Sequence, residues 1–175
     1  MLLYRVCETR YAASADLRDH ARGSLLVDGR WHTRDQMTAD GGLLYTSSSA
    51  ALASSEKLVH LDKDTVPDRD YTVVEYAADV TEGNTLAFVV TAAVPWSLTD
   101  TRATAYSGSQ WYRQQPTAMM TVPSIILPLD LYDPFPRAAM RNSNVLVNTA
   151  HPDAARLVRV VRRVAFPYDR RLYTI

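Results

Sequence analysis

Cysteine is almost absent from this chain, and the deficit narrows its chemistry. With one cysteine, Cys7, in 175 residues, no internal disulfide can form, and four scattered histidines do not supply the paired Cys and His ligands of a structural zinc site. A reducing cytoplasm is the expected home. Net charge is missing too: 19 Lys and Arg balance 19 Asp and Glu, so there is no basic footprint for nucleic acid or for an anionic membrane surface. Long apolar runs are also lacking. The longest, TLAFVVTAAVPW, ends at a proline well short of the ~20 residues that cross a bilayer, and MLLYRVCETRYAAS carries Arg5 and Glu8 where a secretory leader needs an unbroken apolar stretch. No G-x-G-x-x-G follows a strand, which removes the dehydrogenase signature. There is no internal repeat and no low-complexity segment.

The remaining sequence belongs to an ordinary globular protein. Apolar residues make up 47% and charged ones 22%, and 175 residues suit a single domain spanning 1–175. MLLYRV has the β-branched and aromatic content of a short strand, and a short helix and a turn fit the segment to Gly29. Arg30, Trp31 and His32 follow the Asp28-Gly29 turn signal and are expected to begin a strand. Leu43 to Thr46 is a further strand. A serine among Ser47, Ser48 and Ser49 is expected to cap the next helix. On a helical projection Ala51, Leu52, Ser55, Leu58 and Val59 share one face, with Glu56 at its edge.

Beyond that helix, YTVVEYAADV and TLAFVVTAAV read as two strands joined by a hairpin turn at Thr81 to Asn84. RATAYSGSQWYRQQ reads as a short helix or loop. Thr121 to Leu127 is strand-like despite Pro123, and Asp130 to His151 reads as a long irregular segment. RLVRVVRRVAF fits a strand by its valines, although Arg156, Arg159 and Arg163 also align on a helix; strand is preferred. Strands and short helices without regular alternation make the fold class α+β.

Three candidate sites stand out. Glu56 is either a solvated helix carboxylate facing His60 at i+4 or a functional acid in need of an electropositive neighbour. Arg30, between Gly29 and Trp31, is suited to gripping a phosphate or carboxylate with two parallel N–H bonds, and Tyr45 at a strand end can stack on a ring or pack in the core. Ser124, His151 and Asp153 would make a hydrolase triad, but VPSII has none of the glycines of the sharp nucleophile turn.

Taken together, MLLYRV, GRWH, LLYTSSSAALASSEKLVH, VPW, GSQWY, TVPSIILP, NVLVNTAHPD and FPYDRRL, in that order, resemble the RES-domain family over nearly the whole chain. The family's arginine falls on Arg30, its glutamate on Glu56, its serine on Ser124 and its tyrosine on Tyr45. His32 stands where asparagine is usual, Thr149 where proline is usual, and 129–144 looks like an extended loop. The resemblance implies an α+β fold like that of ADP-ribosyltransferases, with a mixed, largely antiparallel split sheet and short helices. It also implies a bacterial toxin that consumes NAD+ as a substrate, with water or inorganic phosphate as acceptor, no metal and no recycled cofactor. Arg30, Glu56 and Ser124 would be catalytic, and Arg30, Tyr45 and Ser124 would bind substrate. A cognate antitoxin that blocks the active site is the implied partner, in a homo- or hetero-oligomer. Transfer of ADP-ribose to a protein, or a non-catalytic module that binds a nucleotide or partner, are the other readings.

Overall fold

The computed structural model describes residues 1–61, 70–88, 100–124, 126 and 143–168. One seven-stranded sheet organises them. Its strands are β1 (Leu2–Glu8), β2 (Leu43–Ser47), β3 (Tyr71–Ala78), β4 (Thr85–Ala87), β5 (Met119–Pro123), β6 (Ser143–Asn148) and β7 (Val158–Ala165), in the spatial order β4-β5-β6-β2-β1-β3-β7. All neighbours run antiparallel except β4 and β5. The helices are short: α1 (Leu17–Ala21), α2 (Ala50–Leu58), α3 (Arg102–Gln114) and α4 (Ala154–Leu157). The α+β class and the mixed sheet are as expected.

The sheet is divided in a specific way. The pairs β1/β3 and β2/β6 each run along whole strands, whereas β1 and β2 share the single register pair Tyr4↔Ser47. Two half-sheets, β4-β5-β6-β2 and β1-β3-β7, are therefore joined at a narrow seam.

Alternation along the strands sends successive side chains to opposite faces. On one face Leu3, Cys7, Leu44, Val74, Tyr76, Met119, Val145 and Val147 form a continuous core with residues of α1 and α4, such as Leu17 and Leu157. That core crosses the seam without a break. The other face carries two separate clusters. Leu43, Met120, Val122 and Leu146 pack with Trp31 and with Trp111 and Tyr112 of α3; Val6, Tyr71 and Val73 pack with Ala53 of α2. Between them the seam presents Tyr45, Ser47 and Asn144, the last two paired in register. Apolar burial holds the helices to either side and leaves a polar strip between.

Several expectations change. The stretch YTVVEYAADV is β3, but Thr81 to Asn84 does not close a hairpin, because β4 lies at the far edge of the sheet beside β5. Residues 89–99 lie outside the described part, so the rest of TLAFVVTAAV is not placed. Strand β5 begins at Met119 and ends at Pro123, where the missing N–H terminates the ladder. The irregular segment expected to His151 contains β6, whose Asn and Ser content hides a buried strand; 127–142 lies outside the described part. The RLVRVVRRVAF stretch is strand from Val158, with Arg156 and Leu157 ending α4. Arg159 and Arg162 are exposed on this edge strand.

One histidine is part of the core. His20 is 3% exposed; its Nε2 lies 2.8 Å from the Ser14 carbonyl and its Nδ1 2.6 Å from the Tyr76 hydroxyl. A carbonyl only accepts, so Nε2 carries the proton and the tyrosine donates to Nδ1. Burial lowers the pKa of His20 below its ordinary value, with the Ser14 carbonyl acting against it. The unfolded chain therefore takes up a proton near pH 6.5 that the folded chain resists, and stability falls as pH drops below about 6.5, by at most about 1.4 kcal/mol per pH unit per histidine. Urea unfolding between pH 7 and 5 reads this slope. His20→Gln is expected to be less stable at pH 7 yet flatter with pH; an unchanged slope contradicts the assignment.

Candidate active site

Helix α2 begins at Ser49, whose hydroxyl accepts the Leu52 N–H as the N-cap. The helix is rotated from the face that hydrophobicity suggests: Leu52 and Ala53 are its buried residues, whereas Ala51 and Val59 are exposed. The inward stripe thus runs 52, 53, 56. Glu56 lies on that stripe, not at its margin, and is half-buried.

Its carboxylate meets the polar seam directly. Oε1 accepts the Ser124 hydroxyl at 2.8 Å and the Asn144 amide at 2.6 Å. Asn144 is held in turn, its Oδ1 accepting the Ser47 hydroxyl at 2.7 Å. Ser124, 1% exposed, follows β5 and accepts the Ile126 N–H. Both donors fall on one carboxylate oxygen, and among the described residues none falls on Oε2. Each bond to a charged group is worth about 1.5–3 kcal/mol, so the carboxylate is fixed in direction. This is not the solvated helix carboxylate paired with His60. Ser124 gives its proton to a carboxylate and not to an imidazole, and His151 is engaged with the Asp153 N–H in a turn, which leaves the hydrolase triad unassembled.

Arg30 arrives from the other side of the seam. It sits in a tight turn in which Gly29 and His32 exchange both backbone hydrogen bonds, not at the start of a strand. Helix α3 clamps this turn: the Thr104 hydroxyl donates to the Arg30 carbonyl, the Thr33 N–H donates to the Ser109 hydroxyl, and Gly108 lies so close that a Cβ there would overlap the Trp31 carbonyl. The half-buried Arg30 guanidinium is drawn down from its ordinary pKa by burial, with Glu56 and Tyr45 acting against that shift. It therefore shares one electrostatic environment with both. Tyr45 has its hydroxyl bonded to His32 and to the Trp31 N–H, and burial pushes its pKa up, so the phenol stays neutral. The structure thus brings Arg30, Tyr45, Glu56 and Ser124 to one strip of the sheet. Ser47 and Asn144 join them, although sequence reasoning missed both, because a polar residue inside a short Val-rich strand looks like a loop signal until the register is known.

The model of the RES domain matches residues 2–169. The chain belongs to the RES-domain family. A protein named Prs ADP-ribosylating toxin, from Sphingobium sp. (strain YBL2), is 32% identical over 86% of this chain and 83% of its own length. A protein named Toxin Res from Photorhabdus laumondii is 28% identical over 98% of this chain and 97% of its own. Among solved structures, that of the M. tuberculosis MbcT-MbcA toxin-antitoxin complex covers 98% of this chain and 86% of its own at a TM-score of 0.63 and 13% identity, a likeness of fold. No described helix is long and apolar enough to cross a membrane.

Two substitutions probe this arrangement. Asn144→Leu removes a donor from Glu56 and the acceptor of Ser47, and is expected to lower stability by about 1–3 kcal/mol; a loss under 0.5 kcal/mol in urea unfolding contradicts the network. Gly108→Ala forces α3 away from the Arg30 turn at a cost of about 1–3 kcal/mol; unchanged stability means the close approach is not real.

Proposed function

We propose that this RES-domain protein is the toxin of a toxin–antitoxin pair and that its seam site cleaves the bond between nicotinamide and ribose in NAD+. The observation that carries the proposal is the fixed Glu56 carboxylate, with one oxygen tied by Ser124 and Asn144, in the same field as the Arg30 guanidinium. Nicotinamide is a cationic pyridinium while bonded and departs neutral as the C1′–N bond breaks, so no general acid is required. What the site must supply is stabilisation of an oxocarbenium-like ribose. A carboxylate aimed at that developing charge before reaction does so, and a preorganised group of this type is commonly worth ~10²–10³ in rate.

The other residues take the roles that their positions allow. Arg30 grips the pyrophosphate or ribose side through charge-assisted bonds. Tyr45, half-buried with its hydroxyl bonded to His32, stacks on nicotinamide. Ser124 is a positioning residue, since its proton is given to Glu56. The bonding electrons of C1′–N go to the pyridine nitrogen, and water attacks C1′ and releases a proton, or inorganic phosphate attacks instead. NAD+ is consumed, and neither a metal nor a recycled cofactor takes part. The name of the 32%-identical relative favours a second acceptor, a protein side chain, giving ADP-ribosyl transfer through the same bond cleavage. The toxin–antitoxin complex among the similar structures supports an antitoxin as partner, which would cover the seam.

Glu56→Gln is a clean test, because the amide oxygen can still accept from Ser124 and Asn144 while the charge is gone. Purified protein incubated with NAD+ is expected to release nicotinamide, and Glu56→Gln to release it ~10²–10³ more slowly with its fold retained. Equal rates would remove Glu56 from the chemistry. Mass analysis with and without phosphate, and with a candidate protein acceptor, names the acceptor. Arg30→Lys keeps the charge but not the planar fork, and weaker NAD+ binding is expected; unchanged affinity would refute the role of Arg30.

A further inference from the structure

His32 is 2% exposed and is held at both ring nitrogens. Nε2 lies 3.1 Å from the Ser24 carbonyl and 3.0 Å from the Val27 carbonyl. Carbonyls cannot donate, so this nitrogen carries the proton, and Nδ1 of the neutral ring is left as an acceptor. The Tyr45 hydroxyl, 2.7 Å away, must then donate to Nδ1, and its oxygen accepts the Trp31 N–H at 3.3 Å. The rings stand 5.7 Å apart, tilted by 55°. A Cβ on Gly29 would come within 2.5 Å of the His32 ring and 2.8 Å of the tyrosine hydroxyl, so a glycine is needed for the pair to close.

We propose that His32 is a positioning residue that sets the direction of the Tyr45 hydrogen bond and thereby locks the Arg30 turn to β2. The backbone of His32 closes the turn on Gly29, while its side chain holds the tyrosine whose oxygen accepts the Trp31 N–H within that turn. One residue therefore couples the two substrate-facing groups, Arg30 and Tyr45. Protonation of His32 removes the only acceptor on Nδ1, and the coupling is lost. Among the described residues, the Val27 and Ser24 carbonyls and Asp28 favour the charged form of His32, Tyr45 is neutral, and α3 contributes the non-titrating Thr104, Gly108 and Ser109 to the turn. Burial lowers the pKa of His32 from its ordinary value, which keeps the ring neutral near pH 7.

This inference rests on the proposed NAD+ chemistry for its kinetic reading but not for its spectroscopic one. His32→Phe keeps a ring and loses the acceptor; KM for NAD+ is expected to rise roughly five- to tenfold, the loss of one neutral hydrogen bond, with a smaller change in kcat. His32→Asn restores an acceptor at the Nδ1 position without a titrating ring, and should recover KM and erase the acid limb of kcat/KM expected below pH 6.5 in the natural protein. Coincident acid limbs in the natural protein and His32→Asn would overturn the proposal. Nitrogen NMR of the imidazole decides the same point if NAD+ is not turned over, or if His32→Phe does not fold. The Nε2–H tautomer is expected, with an Nδ1 resonance that moves in Tyr45→Phe. An Nδ1–H tautomer, or an Nδ1 resonance unmoved in Tyr45→Phe, refutes the pair. A bonded pair without NAD+ turnover would instead refute the proposed function alone.

Discussion

The hydrogen bonds from Ser124 and Asn144 to a single oxygen of Glu56 are the constraint around which the rest of this structure is arranged. Placing a carboxylate against a sheet is costly unless it is paired. The chain meets that cost by interrupting its apolar packing on one face. The two clusters under α2 and α3 hold their helices apart, and the strip between them carries Ser47 and Asn144 in register. The opposite face shows no such break, which keeps the half-sheets together despite the single register pair between β1 and β2.

From that division the site follows. Helix α2 hangs Glu56 over the seam from one side, because its inward stripe continues from Leu52 and Ala53 to residue 56. Helix α3 steadies the Arg30 turn from the other, through Thr104, Gly108 and Ser109. Strand β2 supplies Tyr45 between them. The cation and the anion thus reach the strip from separate supports, the turn under α3 and helix α2. Preorganisation of this kind is what electrostatic stabilisation of a developing charge requires.

Much of this was legible in the sequence, and the rest was hidden for physical reasons. Strands β1, β2, β3 and β7 declare themselves by β-branched runs, and the serine cap of α2 by its hydroxyls. The four residues Arg30, Tyr45, Glu56 and Ser124 were legible only through the order of the motifs, since none has a local pattern that requires function. The orientation of α2 was not legible: hydropathy pointed to Val59 and Ala51, and the polar contacts of Glu56 overrode it. Strand β4 followed β3 like a hairpin but crossed to the far edge, because pairing with β5 depends on partners remote in sequence. Asn144 was hidden within a segment that reads as loop, and only its register opposite Ser47 reveals it.

If the fixed carboxylate exists to face a cationic sugar, the site should prefer a positively charged ribose mimic over a neutral one of the same shape. The decisive measurement is the affinity of a cationic iminoribitol and its uncharged analogue for the natural protein and for Glu56→Gln. The account predicts a preference of ~10² or more for the cation in the natural protein, collapsing in the variant. Equal preference in both proteins would contradict it.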